Sequence, residues 1–221
     1  RVPMRIENKR YGGKPGAGRP LTIAACAPAS FGFVGKHHEK ATVRMIDGRE
    51  TDSSSISAHV ERFLSHHERM LRRAGGASAD LAVLPEDILR LGGLIREHHR
   101  AAFCREAVAR ALDRTLERMG AVCRQFKMGI ILGTATYRRN SFYNTAMILD
   151  RAGNIVACYD KTHLPETEKG TYEPGSSLPV FETPFGRIGL LICWDMAFPE
   201  PFGILAMKGA ELVAHPTFGH W

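Results

Sequence analysis

The sequence predicts an α/β protein in which a sheet of short buried strands is covered by amphipathic helices. Three observations predict it. Short, near-continuous apolar runs recur along the chain, among them Leu21 to Ala27, Asp80 to Leu84, Gly129 to Ala135 and Arg187 to Cys193. Longer segments between them carry apolar residues at helical spacing. The resulting order of strand, helix, strand, helix, several strands, helix, strand places helices over the faces of a layered sheet.

Taken in order, residues 1–20 are rich in Gly, Pro, Lys and Arg and read as an irregular lead-in, which leaves 21–221 as one domain. Leu21 to Ala27, bounded by Pro20 and Pro28, suits a buried strand. Phe31 to Ser57 shows no clear period and is expected to be a long loop. A helix is expected from Ile56 to Ala74, with Val60, Phe63, Leu64 and Leu71 on one face and Gly75-Gly76 ending it. Asp80 to Glu86 is a strand stopped by Pro85, which leaves Glu86 at its C-terminal end. Arg105 to Phe126 carries Val108, Leu112, Leu116, Met119 and Val122 at helical spacing. Gly129 to Ala135 is the next buried strand. Tyr143 to Leu149 and Ile155 to Tyr159 flank Asp150-Arg-Ala-Gly-Asn154, a hairpin signal. Val180 to Glu182 and Arg187 to Cys193 form another strand pair around Pro184 and Gly186. A third helix is expected from Pro201 to Lys208 and a further strand from Glu211 to Ala214.

Composition narrows the function classes. A length of 221 residues allows one sizeable core and is short for two domains. The apolar and charged fractions, 44% and 24%, are those of a folded globular chain rather than a disordered one. No apolar run approaches the roughly 20 residues of a membrane helix, and no charged segment leads into an apolar core as in a signal peptide. The net charge of +7 invites a nucleic-acid reading, but Lys and Arg are scattered among Glu and Asp, with no basic run interleaved with aromatics. No nucleic-acid or membrane partner is therefore expected. The cysteines Cys26, Cys104, Cys123, Cys158 and Cys193 form no CxxC pair and are odd in number, which points to reduced thiols in a cytoplasmic setting. The doublets His37–His38, His66–His67 and His98–His99 lack metal-ligand spacing and read as surface or helix-face histidines, so no metal is expected.

Three polar groups stand where apolar strands end. Glu86 follows LAVLP, Lys161 follows IVACYD and Cys193 follows IGLLI. Strand C-termini are where a rigid scaffold hands over to loops, and functional groups gather there. Each also has an ordinary reading. Cys193 fits a small buried hydrophobe, as Cys26, Cys104, Cys123 and Cys158 do; Glu86 fits a cap and Lys161 a solvated loop residue.

The blocks DLAVLPED (80–87), YDKTHLPETEKGTYEPG (159–175) and GLLICWDMAFPE (189–200) decide between these readings. With the intervening SFYNTAMILDRAGNIVACYDK, the chain from about Leu21 onward resembles the nitrilase superfamily of carbon–nitrogen hydrolases, in its amidase and carbamoylase branch. The resemblance implies a four-layer α-β-β-α sandwich and a Glu-Lys-Cys triad, here Glu86, Lys161 and Cys193. It also implies a further glutamate after the lysine; Glu168, seven positions before Gly175, is the choice, with Glu166 the alternative. Asp195, Phe198, Pro199 and Glu200 read as structural supports. Members usually continue for several strands and a helix beyond this point, so the domain is expected to lack its C-terminal part. Homodimers or larger homo-oligomers are implied, and no cofactor.

The chemistry is coherent in physical terms. A free thiol is mostly protonated at neutral pH; a carboxylate beside it accepts the proton, and an ammonium favours the thiolate. Attack on an amide carbonyl creates an oxyanion, which Lys161 and the backbone N–H of Trp194 are placed to receive. Glu86 then protonates the departing amine and activates the water that hydrolyses the thioester. Nitrile-cleaving relatives tend to carry Glu two positions beyond the cysteine. Asp195 therefore points to a small-molecule linear amide or N-carbamoyl substrate. Acyl transfer, nitrile hydrolysis and a non-catalytic interaction module remain as alternatives. Tyr143, Tyr172, Thr217 and Phe218 are candidate pocket residues.

Overall fold

The computed structural model describes residues 21–26 and 53–218. The lead-in over 1–20, residues 31–52 of the expected loop and Trp221 lie outside the described residues. Along the chain, β1 (Ile23–Ala25) is followed by α1 (Ser53–Gly76), β2 (Leu81–Val83), α2 (Gly92–His98), α3 (Ala102–Phe126), β3 (Gly129–Arg138) and β4 (Ser141–Leu149). Then come β5 (Ile155–Asp160), β6 (Val180–Thr183), β7 (Gly186–Leu190), a 3-10 turn (Cys193–Ala197), α4 (Glu200–Met207) and β8 (Leu212–Ala214).

The strands form two sheets, ordered β1-β2-β3-β4-β5 and β6-β7-β8. In the first, β1, β2 and β3 run parallel, while β3, β4 and β5 run antiparallel. In the second, β7 pairs antiparallel with β6 and parallel with β8.

Both faces of the first sheet are buried along β3 and β4, which is why these strands read as continuous apolar runs, whereas β1 at the edge is largely exposed. On one face Leu64 and Leu71 of α1, with Val108, Met119 and Val122 of α3, pack on Ile130, Leu132 and Met147. On the other, Ile131, Ala146, Ile148 and Ala157 meet Ile188, Leu190 and Ile192. Gly189 faces the opposite way, so close to α4 that an added Cβ would lie 2.8 Å from Leu205 Cδ1. The order helices, sheet, sheet, helix is the four-layer sandwich that the resemblance implies. Burying each such Leu or Ile contributes about 1.5–3 kcal/mol, so the two apolar layers dominate the stability.

α1 and α3 are also joined by a charge ladder: Arg118 to Glu68, Arg118 to Glu61 at 2.8 Å and Arg114 to Glu61 at 2.6 Å. The exposed Arg114–Glu61 pair contributes about 0–1 kcal/mol, while Arg118 and Glu68 are more covered.

His67 is buried on the core side of α1, with Nδ1 bonded to Phe63 O at 2.8 Å, rather than on the surface. Burial pushes its pKa down from 6.5 to about 4. A depressed histidine contributes stability that is present above its unfolded pKa and lost as pH falls through the folded value. His67→Met is therefore expected to flatten the fall of Tm between about pH 6.5 and pH 4, a limb worth up to roughly 3 kcal/mol. An unchanged limb in thermal scans would assign the acid sensitivity elsewhere.

Several boundaries differ from the expectations. α1 starts at Ser53, inside the expected loop, and α3 starts at Ala102. α2 was not anticipated, since its seven residues are too few to show a period. β3 runs on to Arg138 and β4 starts at Ser141, joined by Arg139-Asn140 with φ of 51° and 62°. That is a two-residue hairpin with both central residues left-handed, and Arg139 hides it because it is not a usual turn former. β7 ends at Leu190, so Cys193 is not a strand residue but the first of the 3-10 turn.

Candidate active site

Glu86 is delivered by a bend between two ladder contacts. Leu84 N–H still donates to Ile131 O at 2.8 Å, and Ile88 N–H donates to Gly133 O at 2.9 Å. Between them Pro85 has no N–H to donate and accepts from Gly133 N–H only at 3.4 Å, and the bend turns Glu86 into a buried position. Gly133 makes room for this bend: a Cβ there would lie 2.9 Å from Glu86 Cα. Gly133→Ala is expected to shift the carboxylate by some tenths of an ångström and lower kcat by about 10²-fold, with a smaller change in KM. Steady-state kinetics of the folded variant measure both. Asp87, left-handed at φ 43°, secures the next turn by accepting from Leu91 N–H and Gly92 N–H, each at 3.1 Å.

Lys161 follows β5. Its N–H donates to Asn144 O and its carbonyl accepts from Gly175 N–H, both at 2.9 Å. The side chain is 1% exposed, and a buried ammonium requires counter-charges. Glu86 Oε1 at 2.9 Å and Glu168 Oε1 at 3.0 Å supply them. Burial opposes the Lys161 charge, but these carboxylates outweigh it and hold its pKa above the ordinary value. Glu168 is pushed up by burial, drawn back by Lys161 and pushed again by Glu86, with a net rise.

Cys193 adopts φ 40°, a region costly for a residue with a Cβ, and its backbone is held on both sides. The N–H donates to Pro216 O at 3.0 Å, and the carbonyl lies 3.0 Å from His215 Nε2, both in the loop after β8. The same loop places Phe218 N–H 3.1 Å from Glu86 Oε2. The thiol donates to Phe218 O at 3.8 Å, and its pKa is pushed up to about 11 by burial and by the Glu86 carboxylate, against the pull of Lys161. The ammonium favours the thiolate as expected, but burial and the Glu86 carboxylate outweigh it. The Cys193 thiol is thus held in its neutral form.

Asp195 ties the cysteine turn to the lysine loop. Its fully buried carboxylate accepts from Tyr159 Oη at 2.7 Å, Ile192 N–H at 2.8 Å, His163 N–H at 2.9 Å and Thr162 Oγ1 at 3.0 Å.

These groups open on one cavity of about 300 Å³, at the small end of ligand sites. Glu86, Lys161, Cys193, Glu168, Trp194, Tyr172 and Phe218 line it. Burial keeps the Tyr172 phenol protonated by raising its pKa well above the ordinary value. Glu166 instead points to solvent and pairs with Lys169 at 2.7 Å. Tyr143 is not among the lining residues: strand alternation turns it to the face opposite Asn144, with the Arg138 guanidinium 4.2 Å from its ring centroid. Thr217 is not among them either and lies against His215, 3.2 Å from Nε2. Sequence reasoning missed Asn144, Arg90 and Arg96, which also line the cavity. For Asn144 a signal existed, a buried amide in the apolar run of β4; for the arginines none did.

A buried carboxylate, an ammonium and a thiol face one cavity. The carbon–nitrogen hydrolase profile matches residues 51–220, and the chain belongs to that family, within the nitrilase superfamily. It is 29% identical over 172 residues to an N-carbamoylputrescine amidase of Arabidopsis thaliana, covering 75% of this chain and 55% of that protein. It is 31% identical over 154 residues to a nitrilase of Pyrococcus abyssi, covering 69% and 57%. The chain thus spans about half the length of these relatives. The crystal structure of a carbon–nitrogen hydrolase from Helicobacter pylori G27 superposes with a TM-score of 0.64 at 24% identity, over 73% of this chain and 56% of that one. This likeness shows the fold.

Proposed function

We propose that the protein cleaves a carbon–nitrogen bond of a linear amide or N-carbamoyl compound through a thioester on Cys193. The observation that carries the reading is the convergence of Glu86 and Glu168 on Lys161 Nζ, at 2.9 and 3.0 Å, beside the Cys193 thiol. Glu86 Oε1 is occupied by Lys161, which leaves Oε2 toward the loop that holds the nucleophile. Glu86 takes the thiol proton as sulfur attacks the carbonyl carbon. The developing oxyanion is received by the Lys161 ammonium and the Trp194 N–H. Collapse expels the amine with the proton from Glu86, and the same carboxylate activates water against the thioester. Glu168 holds Lys161 and accepts from the substrate's nitrogen. The hydrolase domain is taken to begin near residue 21.

The substrate class rests on Asp195, whose crowded hub fits an aspartate, and on the similarity to the N-carbamoylputrescine amidase. Self-association would cover the exposed Trp194, Met196, Phe198 and Phe202. Sedimentation of the full chain reads it.

Ammonia release from primary amides, N-carbamoyl amines, N-carbamoyl amino acids and nitriles tests the reading. Release from amides or carbamoyl compounds supports it. Release from nitriles alone would overturn the substrate class. Acyl products that form only when an amine or alcohol acceptor is added would make the enzyme a transferase.

A further inference from the structure

We infer that Asn144 is a positioning residue for the base, holding the Glu86 carboxylate so that only one of its oxygens serves Cys193. This rests on the catalytic roles proposed above for Glu86 and Cys193. Asn144 lies in the middle of β4, 6% exposed, and lines the cavity. Its Nδ2 donates to Glu86 Oε1 at 2.8 Å and reaches Glu168 Oε1 at 3.4 Å. Lys161 Nζ touches the same two oxygens. Each carboxylate is therefore gripped by one cation and one neutral amide, and its Oε1 is saturated.

The orientation of the amide is fixed by chemistry, because both carboxylate oxygens crowd one of its atoms and that atom must carry the hydrogens. Its Oδ1, by contrast, is buried with no hydrogen-bond partner among the described residues. A half-satisfied buried amide is a poor way to fill a strand position between Tyr143 and Thr145, where an apolar side chain would cost less. The donor is what distinguishes it. A neutral N–H fixes the geometry of the carboxylate without placing a second cation beside it. The backbone agrees: the Asn144 carbonyl accepts from Lys161 N–H at 2.9 Å, so one residue sets the position of both the lysine and the glutamate.

The test compares Asn144→Leu and Asn144→Asp with the wild type in kcat, KM and their pH dependence. Iodoacetamide labelling of Cys193 provides a readout that needs no substrate. With the donor gone, Asn144→Leu is expected to lose about 10- to 100-fold in kcat with KM little changed, and the acid limb of its profile departs from that of the wild type. Asn144→Asp keeps the shape and brings a third carboxylate beside one ammonium. It is expected to be weak at neutral pH and to regain activity on acidification, where a protonated aspartic acid donates again. If both folded variants keep the wild-type pH profile and labelling profile, Asn144 is only a strand residue and the inference fails. If Asn144→Leu does not fold, the acid recovery of Asn144→Asp decides, and its absence overturns the inference. Failure of the broader reading looks different: the wild type itself would show no selective labelling at Cys193.

Discussion

Cys193→Ala is expected to lower turnover by at least about 10⁴-fold while leaving the fold intact, because the deletion removes the sulfur on which the proposed thioester would form. Cys193 is half-buried at the first position of a turn, so losing its sulfur opens no large core cavity. The informative partner is Glu86→Gln. The carboxylate is one of the two causes that push the thiol to about 11, and burial is the other. Neutralising it leaves Lys161 less opposed, so the thiol should titrate lower and alkylate faster at neutral pH. Turnover should nonetheless fall by about 10²–10⁴-fold, the usual worth of a general base. Faster labelling with slower catalysis separates the base role from a simple electrostatic one. Glutamine slowing both would mean that Glu86 serves mainly to orient the thiol.

Lys161→Met should cost both stability and activity. The ammonium is 1% exposed and balances two carboxylates, so its removal strands Glu86 and Glu168 in a buried site. Breaking a buried ion pair from one side typically costs about 3–5 kcal/mol. The pH dependence carries the sign. Lys161 has a raised folded pKa, so its contribution is fully present below the ordinary lysine value and lost as pH climbs through the folded one. Glu168 is also raised, so protonating it relieves the folded state, and without the ammonium that relief grows. The Tm deficit of Lys161→Met should be largest near neutral pH and shrink on acidification toward the range where Glu168 is protonated. Thermal scans from about pH 4 to pH 8 measure it. A deficit independent of pH would mean that the lysine acts through packing of its aliphatic stem.

These predictions rest on residues of unequal legibility. Glu86, Lys161 and Cys193 stand out in the sequence because each follows an apolar run and each lies in a distinct block, and the structure brings them to one cavity. Glu168 was separable from Glu166 only by its spacing to Gly175, and the structure places Glu168 in the cavity and Glu166 in solvent. Tyr143 and Asn144 show the opposite case. An aromatic residue near a strand end draws attention as a pocket residue, yet the two-residue period of β4 turns the amide to the site and the ring away.

By itself the sequence determined the α/β class, the two long helices, the hairpin at Asp150–Asn154 and the family, because periodicity, turn residues and motif blocks are local properties of the chain. Tertiary structure alone decided three things. It set the protonation of the Cys193 thiol, which depends on burial and on Glu86, more than a hundred residues earlier in the chain. It gave Asp195 its hub, whose partners come from β5, the loop after it and the residue before the cysteine. It assembled the grip on Glu86 from Lys161, Asn144 and Phe218. Each arises from groups distant in sequence meeting in a low-dielectric interior, where charge, desolvation and hydrogen bonding act over a few ångströms of space and not along the chain.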